Sequence, residues 1–179
     1  MNVQTKQAIR VVHLDADGFG DVWIERSIFE SAFDGLTFET MAIDDASACG
    51  EADIVLTHYT ELDELAMRAI RPEVIVRYAT GVDGVDVDAA TRLGIRVIRI
   101  PEYCDAEVAE HALALVLALW RRLPQYSRHT AAGGWVWRHA APGRRLADAT
   151  FGLLGFGRKA REVAVRADTL GCRDRKSVV

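Results

Sequence analysis

The chain has 179 residues and a net charge of −4; half of its residues are hydrophobic and 27% are charged, as in soluble globular proteins. A chain this long folds without disulfides or a metal, and three cysteines without CxxC spacing favour a reducing compartment, so we expect a cytoplasmic protein. No basic tract suggests nucleic acid, no apolar run approaches the ~20 residues of a membrane span, and no metal site is expected.

The first hundred residues alternate strand patterns with helix patterns. A helix is predicted after Asp21, which can cap it, and another from Thr60, with Asp63 completing a capping box. A third helix is predicted over Asp86–Leu93 and ends at Gly94. The apolar face of the first helix is predicted to hold Val22, Trp23, Ile28, Phe29 and Ala32, and the strands are predicted at Ile9–Leu14, Leu36–Ala42, Ala52–Leu56, Val74–Tyr78 and Ile95–Ile100. This alternation predicts a parallel sheet with helices on both faces.

A much longer helix pattern runs from Asp105 to Ala132. Its centre is apolar on nearly every side, which predicts burial between two domains or two subunits. Pro124 is expected to end or kink this helix. The following segment, Ala131–Arg145, carries Gly, Pro and Trp and is predicted to be a loop or an exchanged arm.

A glycine-rich turn follows the predicted strand Thr150–Leu154. The run from Gly155 to Ala160, GFGRKA, matches G-x-G-x-x-A between a strand and a helix, where glycines let a dinucleotide pyrophosphate approach the helix N-terminus. Such turns also occur without a ligand, and the acidic residue that would discriminate lies ~20 residues further on. Arg158 and Lys159 either add positive charge to this site or are simply solvated.

Several segments together resemble one family. They are RYATGVDGVD (Arg77–Asp86), Ala89–Pro124, Gly133–Trp135 and TFGLLGFGRKA, and in order and spacing they are similar to D-isomer-specific 2-hydroxyacid dehydrogenases. The branch they resemble most includes bacterial dehydrogenases similar to C-terminal-binding proteins. The family usually has isoleucine where Lys159 stands and often glycine where Asp148 stands.

The resemblance implies an α/β architecture: a flavodoxin-like substrate domain, here residues 1–103, followed by the start of a Rossmann dinucleotide-binding domain. Residues 104–173 would hold the crossover helix, the arm loop and the first β–α unit. The implied cofactor is NAD, with NADP left open, and the implied substrate is a small 2-hydroxy or 2-keto acid bound by a homodimer. The implied substrate-binding residues are Tyr78, Thr80, Gly81 and Val82, and the implied cofactor-binding residues are Val108, Gly155, Gly157, Arg158, Lys159 and Ala160.

The family's catalytic arginine, acidic residue and histidine align with no residue of this chain. His111 is expected to be a packed core or interface residue, and His58 to lie in a loop at a cleft edge. No room is expected for a further strand after Cys172, and one back-translation of Asp174–Val179 reads like sequencing-library adapter DNA. We therefore expect a truncated chain with a non-native tail, 174–179, and no dehydrogenase activity on its own.

Two other functions compete with that of a dehydrogenase. A non-enzymatic, NAD(H)-sensing and partner-binding protein is compatible with the branch resemblance. A receiver-like signalling module is disfavoured, because it would explain neither the long apolar helix nor the GFGRKA turn.

Overall fold

A computed structural model describes residues 8–18, 20–42, 46–140 and 143–174. The chain divides into two compact units, one ending at Pro101 and the other beginning at Glu102. Among the described residues, no helix combines the length and apolarity needed to span a membrane.

The first unit is a five-stranded parallel sheet with the strand order β2-β1-β3-β4-β5, the order of flavodoxin-like folds. The predicted strands are confirmed with small shifts at their ends. They are β1 (Ile9–Leu14), β2 (Leu36–Met41), β3 (Ile54–Thr57), β4 (Val74–Arg77) and β5 (Arg96–Arg99).

Helices cover both faces of this sheet, as predicted. They are α1 (Trp23–Ala32), α2 (Glu64–Ile70) and α3 (Val87–Leu93). Because side chains alternate along a strand, Val12 and Val55 belong to one core cluster with Met67 and Ile70, whereas Val11 and Leu56 belong to a second.

The helix ends follow local capping chemistry. The prediction that α2 begins at Thr60 was wrong: Asp63 is itself the N-cap and accepts from the Ala66 N–H at 2.8 Å, so the helix begins at Glu64. Helix α3 matches its prediction, with Asp86 as N-cap and Gly94 at a φ of 74° as C-cap. Asp21 accepts from the Trp23 N–H at 3.0 Å at the start of α1.

The predicted apolar face of α1 was wrong in part. Val22 is buried and Phe29 packs against the second core cluster, but Trp23 is 62% exposed and Ile28 59% exposed. This helix is amphipathic in sequence, yet within the described residues much of its apolar surface faces outward.

A short bridge joins the loops that lead into α2 and α3. Leu62 and Val85 pair in parallel; the Leu62 N–H donates to the Gly84 carbonyl at 2.7 Å, and the Asp86 N–H donates to the Leu62 carbonyl at 3.0 Å. Leu62 is 1% exposed, so this contact extends the core beyond the sheet.

The second unit contains α4 (Asp105–Trp120), α5 (Leu123–Ala131), β6 (Thr150–Phe151), α6 (Arg158–Thr169) and β7 (Arg173–Asp174). The long predicted helix is broken just before Pro124, as expected: Arg122 has a φ of 58°, and the proline stands in the first turn of α5. Strand β6 is shorter than predicted. The expectation of no strand after Cys172 was wrong, because β7 pairs in parallel with β6.

Helices α4 and α6 pack through Ala109, Leu113, Val163 and Ala167. Part of the apolar surface of α4 stays open within the described residues: Leu115 is 53% exposed, Leu119 is 70% exposed, and His111 is also exposed. Burial of α4 on all sides is therefore not seen within the described residues, and its burial against a second subunit stays a prediction.

Candidate functional site

The first candidate site is the loop after β4, which contains Tyr78, Thr80, Gly81 and Val82. It begins at the carboxyl edge of the parallel sheet, where α/β proteins bind ligands. The Tyr78 N–H donates to the Thr57 carbonyl at 2.8 Å, which keeps the loop tied to β3. Arg99 of β5 donates from Nη1 to the Thr80 carbonyl at 2.7 Å. Two neighbouring strands therefore fix the loop from both sides.

The backbone donors of this loop suit an anion. Among the described residues, the N–H groups of Thr80, Gly81 and Val82 donate to no protein acceptor. The far side of the loop is closed by the Val85 N–H, which donates to the Val82 carbonyl at 3.0 Å. Successive free N–H groups in a turn form a concave anion-binding surface. These residues do follow a strand, as predicted, and their role in binding stays a prediction.

Arg77 is a residue that the sequence reasoning missed. It is the last residue of β4, and within the part of the chain that the structure describes its Nε and Nη1 atoms are buried without a hydrogen-bond acceptor. Buried guanidinium donors are costly to leave unpaired. A signal was available, since the predicted strand Val74–Tyr78 carries an arginine directly before the loop.

Tyr78 of this loop contacts His58 of the loop after β3. His58 makes a short Nδ1 contact with the Tyr78 carbonyl, and the Tyr78 ring meets the His13 ring edge-on at 5.3 Å. Burial, and secondarily the carboxylate of Glu25, raises the pKa of Tyr78 to about 12. The phenol is therefore neutral at physiological pH. His58 does lie in a loop at the carboxyl edge, as the sequence predicted.

The loop that carries His58 is itself held by Asp15. The Asp15 carboxylate accepts from the N–H groups of Thr60 at 2.7 Å, Tyr59 at 2.8 Å and His58 at 3.1 Å. Burial by itself raises the pKa of Asp15, but hydrogen bonds from Thr60, Tyr59 and His58 outweigh it, and the net pKa is below its ordinary value.

The second candidate site is the glycine turn between β6 and α6. Gly155 has a φ of 83°, a conformation that side chains disfavour. Gly157 is the N-cap of α6 and has no side chain to satisfy the first N–H groups of the helix. A Cβ built on either glycine would meet no heavy atom within 4 Å. The turn is therefore open on the side from which a ligand would approach.

These features fit a dinucleotide pyrophosphate. The open glycines allow close approach of the phosphates, and the uncapped helix end offers N–H donors and the positive end of the helix dipole. Gly155, Gly157, Arg158, Lys159 and Ala160 all line one open depression, together with Asp105. Val108 stands one turn into α4 and is 40% exposed.

The two basic residues of the turn are not simply solvated. Arg158 Nε lies 3.1 Å from Asp105 Oδ2, and Lys159 Nζ lies 2.9 Å from Asp105 Oδ1. The Lys159 and Arg158 hydrogen bonds lower the pKa of Asp105, and the same contact raises the pKa of Lys159. No local pattern predicts this pairing, because Asp105 lies far from the turn along the chain.

Comparison with known proteins gives a consistent result. The profile of "D-isomer specific 2-hydroxyacid dehydrogenase, catalytic domain" matches residues 25–170. D-3-phosphoglycerate dehydrogenase of Archaeoglobus fulgidus is 39% identical over 118 residues, which is 65% of this chain and 22% of that protein. The human enzyme of the same name is 39% identical over 101 residues, covering 56% of this chain and 19% of its own length. The chain thus spans about a fifth of these relatives.

Solved structures share the fold. One is D-lactate dehydrogenase from Aquifex aeolicus, complexed with NAD and lactic acid. Its TM-score is 0.79 at 24% identity, and the alignment covers 92% of this chain and 50% of the dehydrogenase chain. An acyclic imino acid reductase in complex with NADPH and D-Arg has a TM-score of 0.79 at 23% identity, with 92% and 54% covered.

Proposed function

The chain belongs to the D-isomer-specific 2-hydroxyacid dehydrogenase family, and from that premise we propose that it is part of an oxidoreductase. The proposed reaction passes a hydride between a small 2-hydroxy or 2-keto acid and NAD, with NADP left open. The observation that carries the proposal is the open glycine turn in front of the uncapped α6 N-terminus. The bound nicotinamide would accept or supply the hydride, and the residues of this chain bind and orient.

In this proposal the two sites have separate tasks. The N–H groups of Thr80, Gly81 and Val82 hold the substrate carboxylate, and the buried charge of Arg77 adds to the positive potential there. Gly155, Gly157 and the first turn of α6 hold the pyrophosphate. Holding a reactant in a fixed orientation lowers the entropic part of the barrier, and this is the contribution proposed for each site.

A pair of glycine substitutions tests the cofactor site. Gly157→Ala adds a methyl group that meets no protein atom within 4 Å, and its extended backbone, with φ −74° and ψ −171°, accepts alanine. We expect the fold to persist, while NADH affinity falls at least tenfold because the methyl group lies where the pyrophosphate would approach.

Gly152→Ala is the matched control. It also adds a methyl group into open space, just before the turn, and should leave both NADH fluorescence titrations and thermal unfolding unchanged. Equal NADH affinity in the wild-type and Gly157→Ala chains, or no NADH binding by the wild-type chain, would contradict the proposed site.

The substrate site is tested by NMR. Pyruvate should shift the amide resonances of Thr80, Gly81 and Val82, whereas pyruvamide, which lacks the carboxylate, should not. Gly81→Ala should weaken the pyruvate response, because its Cβ would lie 2.9 Å from Asp83 Oδ2 and would displace that side chain. Shifts of equal size with both ligands would count against carboxylate binding here.

We propose that the protein forms a homodimer, as the resemblance implies. The exposed apolar side chains of α4, among them Leu115 and Leu119, support this because large apolar patches usually mark interfaces. Light scattering should detect dimers, and Leu119→Glu should reduce them. The assignment to the branch similar to C-terminal-binding proteins and the cytoplasmic location stay predictions.

A further inference from the structure

Two cations in the first turn of α6 need an electrostatic explanation. Arg158 and Lys159 stand at the positive end of the helix dipole, where basic side chains are unfavourable. The structure supplies the explanation in a single carboxylate, which contacts both cations.

That carboxylate is held in place by helix packing. Asp105 is the first residue of α4, and its side chain is only 13% exposed. Because α4 and α6 pack through Ala109, Leu113, Val163 and Ala167, the distance between Asp105 and the α6 N-terminus is set by the cores of the two helices. Lys159 is 36% exposed and Arg158 44% exposed, so both cations can still reorient.

Other charges near this cluster are weaker partners. Glu102 Oε1 lies 3.7 Å from Arg158 Nη1 and is 69% exposed. Arg161 lies over the Phe156 ring, with its guanidinium carbon 5.9 Å from the centroid. Asp105 is thus the nearest anion to both cations and lines the same depression as Gly155, Gly157 and Ala160.

We propose that Asp105 is an internal competitor at the pyrophosphate site: it occupies Arg158 and Lys159 in the free protein, and the pyrophosphate takes these cations over on binding. The inference rests on the proposed dinucleotide site. The exchange is possible without movement of the helices, since only the ends of two half-exposed side chains must turn. The dinucleotide affinity then depends on how much more strongly Arg158 and Lys159 interact with the pyrophosphate than with the Asp105 carboxylate.

The proposal predicts that a substitution in the binding site strengthens binding, whereas most such substitutions weaken it. Asp105→Asn removes a fixed negative charge and frees both cations, so NADH should bind more tightly. An interaction between partly exposed charges implies a gain of about three- to tenfold at low salt. The gain should shrink in 0.5 M NaCl, because salt screens the repulsion that the carboxylate exerts.

The test compares NADH affinity, by fluorescence titration, in four proteins: wild type, Asp105→Asn, Glu107→Gln and Lys159→Gln. Glu107→Gln makes the same change of charge in the same turn of α4 without touching either cation, and should have little effect. Lys159→Gln should weaken NADH binding. Unchanged thermal unfolding in Glu107→Gln and a folded circular-dichroism spectrum in Asp105→Asn make the affinities comparable.

The outcomes separate the two claims. If the wild-type chain binds NADH and Asp105→Asn binds it equally or more weakly, the competitor role is wrong while the proposed function stands. If Glu107→Gln gains as much as Asp105→Asn, net charge rather than the contact is responsible, and the inference also fails. If no protein of the set binds NADH, the dinucleotide site itself is refuted.

Discussion

Substitutions of Asp15 test how much its carboxylate stabilises the loop of residues 58–60 in the first unit. Its carboxylate accepts from three consecutive backbone N–H groups, those of His58, Tyr59 and Thr60, and Asp15 itself has a φ of 57°. Asp15→Ala removes the acceptor of all three N–H groups. At roughly 1 kcal/mol for each of the two part-buried N–H groups, those of His58 and Thr60, and about 1 kcal/mol for placing alanine at positive φ, the free energy of unfolding should fall by about 3 kcal/mol.

Asp15→Asn separates these contributions. Asparagine tolerates positive φ and keeps one acceptor oxygen, so it should cost only about 1–2 kcal/mol. Asp17→Asn, at an exposed position two residues later, is the control and should be neutral. Urea unfolding followed by circular dichroism measures all three variants. A free energy of unfolding for Asp15→Ala within 0.5 kcal/mol of wild type would refute the reasoning.

The same carboxylate predicts a pH dependence. Because the folded-state pKa of Asp15 is below its ordinary value, its contribution to stability is fully present above that ordinary value, about 3.9. It is lost as pH falls from there through the folded-state pKa. The free energy of unfolding of wild type should therefore fall more steeply below pH 5 than that of Asp15→Asn; parallel curves would contradict the lowered pKa.

Three further substitutions test packing and backbone geometry by the same unfolding assay. Ile70→Ala removes a side chain with no exposed surface and should cost about 2–5 kcal/mol; a cost under 1 kcal/mol would mean that the core is not packed there. Gly94→Ala puts a Cβ at a φ of 74° and should cost about 1 kcal/mol although the space is open. Arg71→Gly should instead stabilise by up to about 1 kcal/mol, because Arg71 holds the left-handed C-cap of α2 at a φ of 54°; destabilisation would contradict this.

The sequence predicted those parts of the fold that depend on local patterns. Apolar β-branched runs located four of the five strands of the first sheet, a weaker pattern located β2, and Gly94 marked the end of α3. It failed at α1, since a periodic pattern says which side chains share a face but not how much of that face a small sheet covers. Trp23 and Ile28 are exposed for this reason.

The candidate sites were predictable where a motif lies along the chain and unpredictable where distant residues meet. The glycine turn and the Thr80–Val82 loop are contiguous, so their sequences reveal them. The Asp105 contact with Lys159 depends on how α4 packs against α6, and the support that Asp15 gives to the His58 loop depends on the pairing of β1 with β3. Neither pairing leaves a local signal in the sequence.

The bridge between Leu62 and Val85 has a consequence for the dynamics of the first unit. The amide protons of Leu62 and Asp86 are bonded across two loops, next to a fully buried side chain. Loop amides usually exchange with deuterium quickly through local fluctuations. These two should instead exchange as slowly as strand amides and at matching rates, because both loops must separate together. The loops that lead into α2 and α3 would thus unfold together with the sheet, as one cooperative unit.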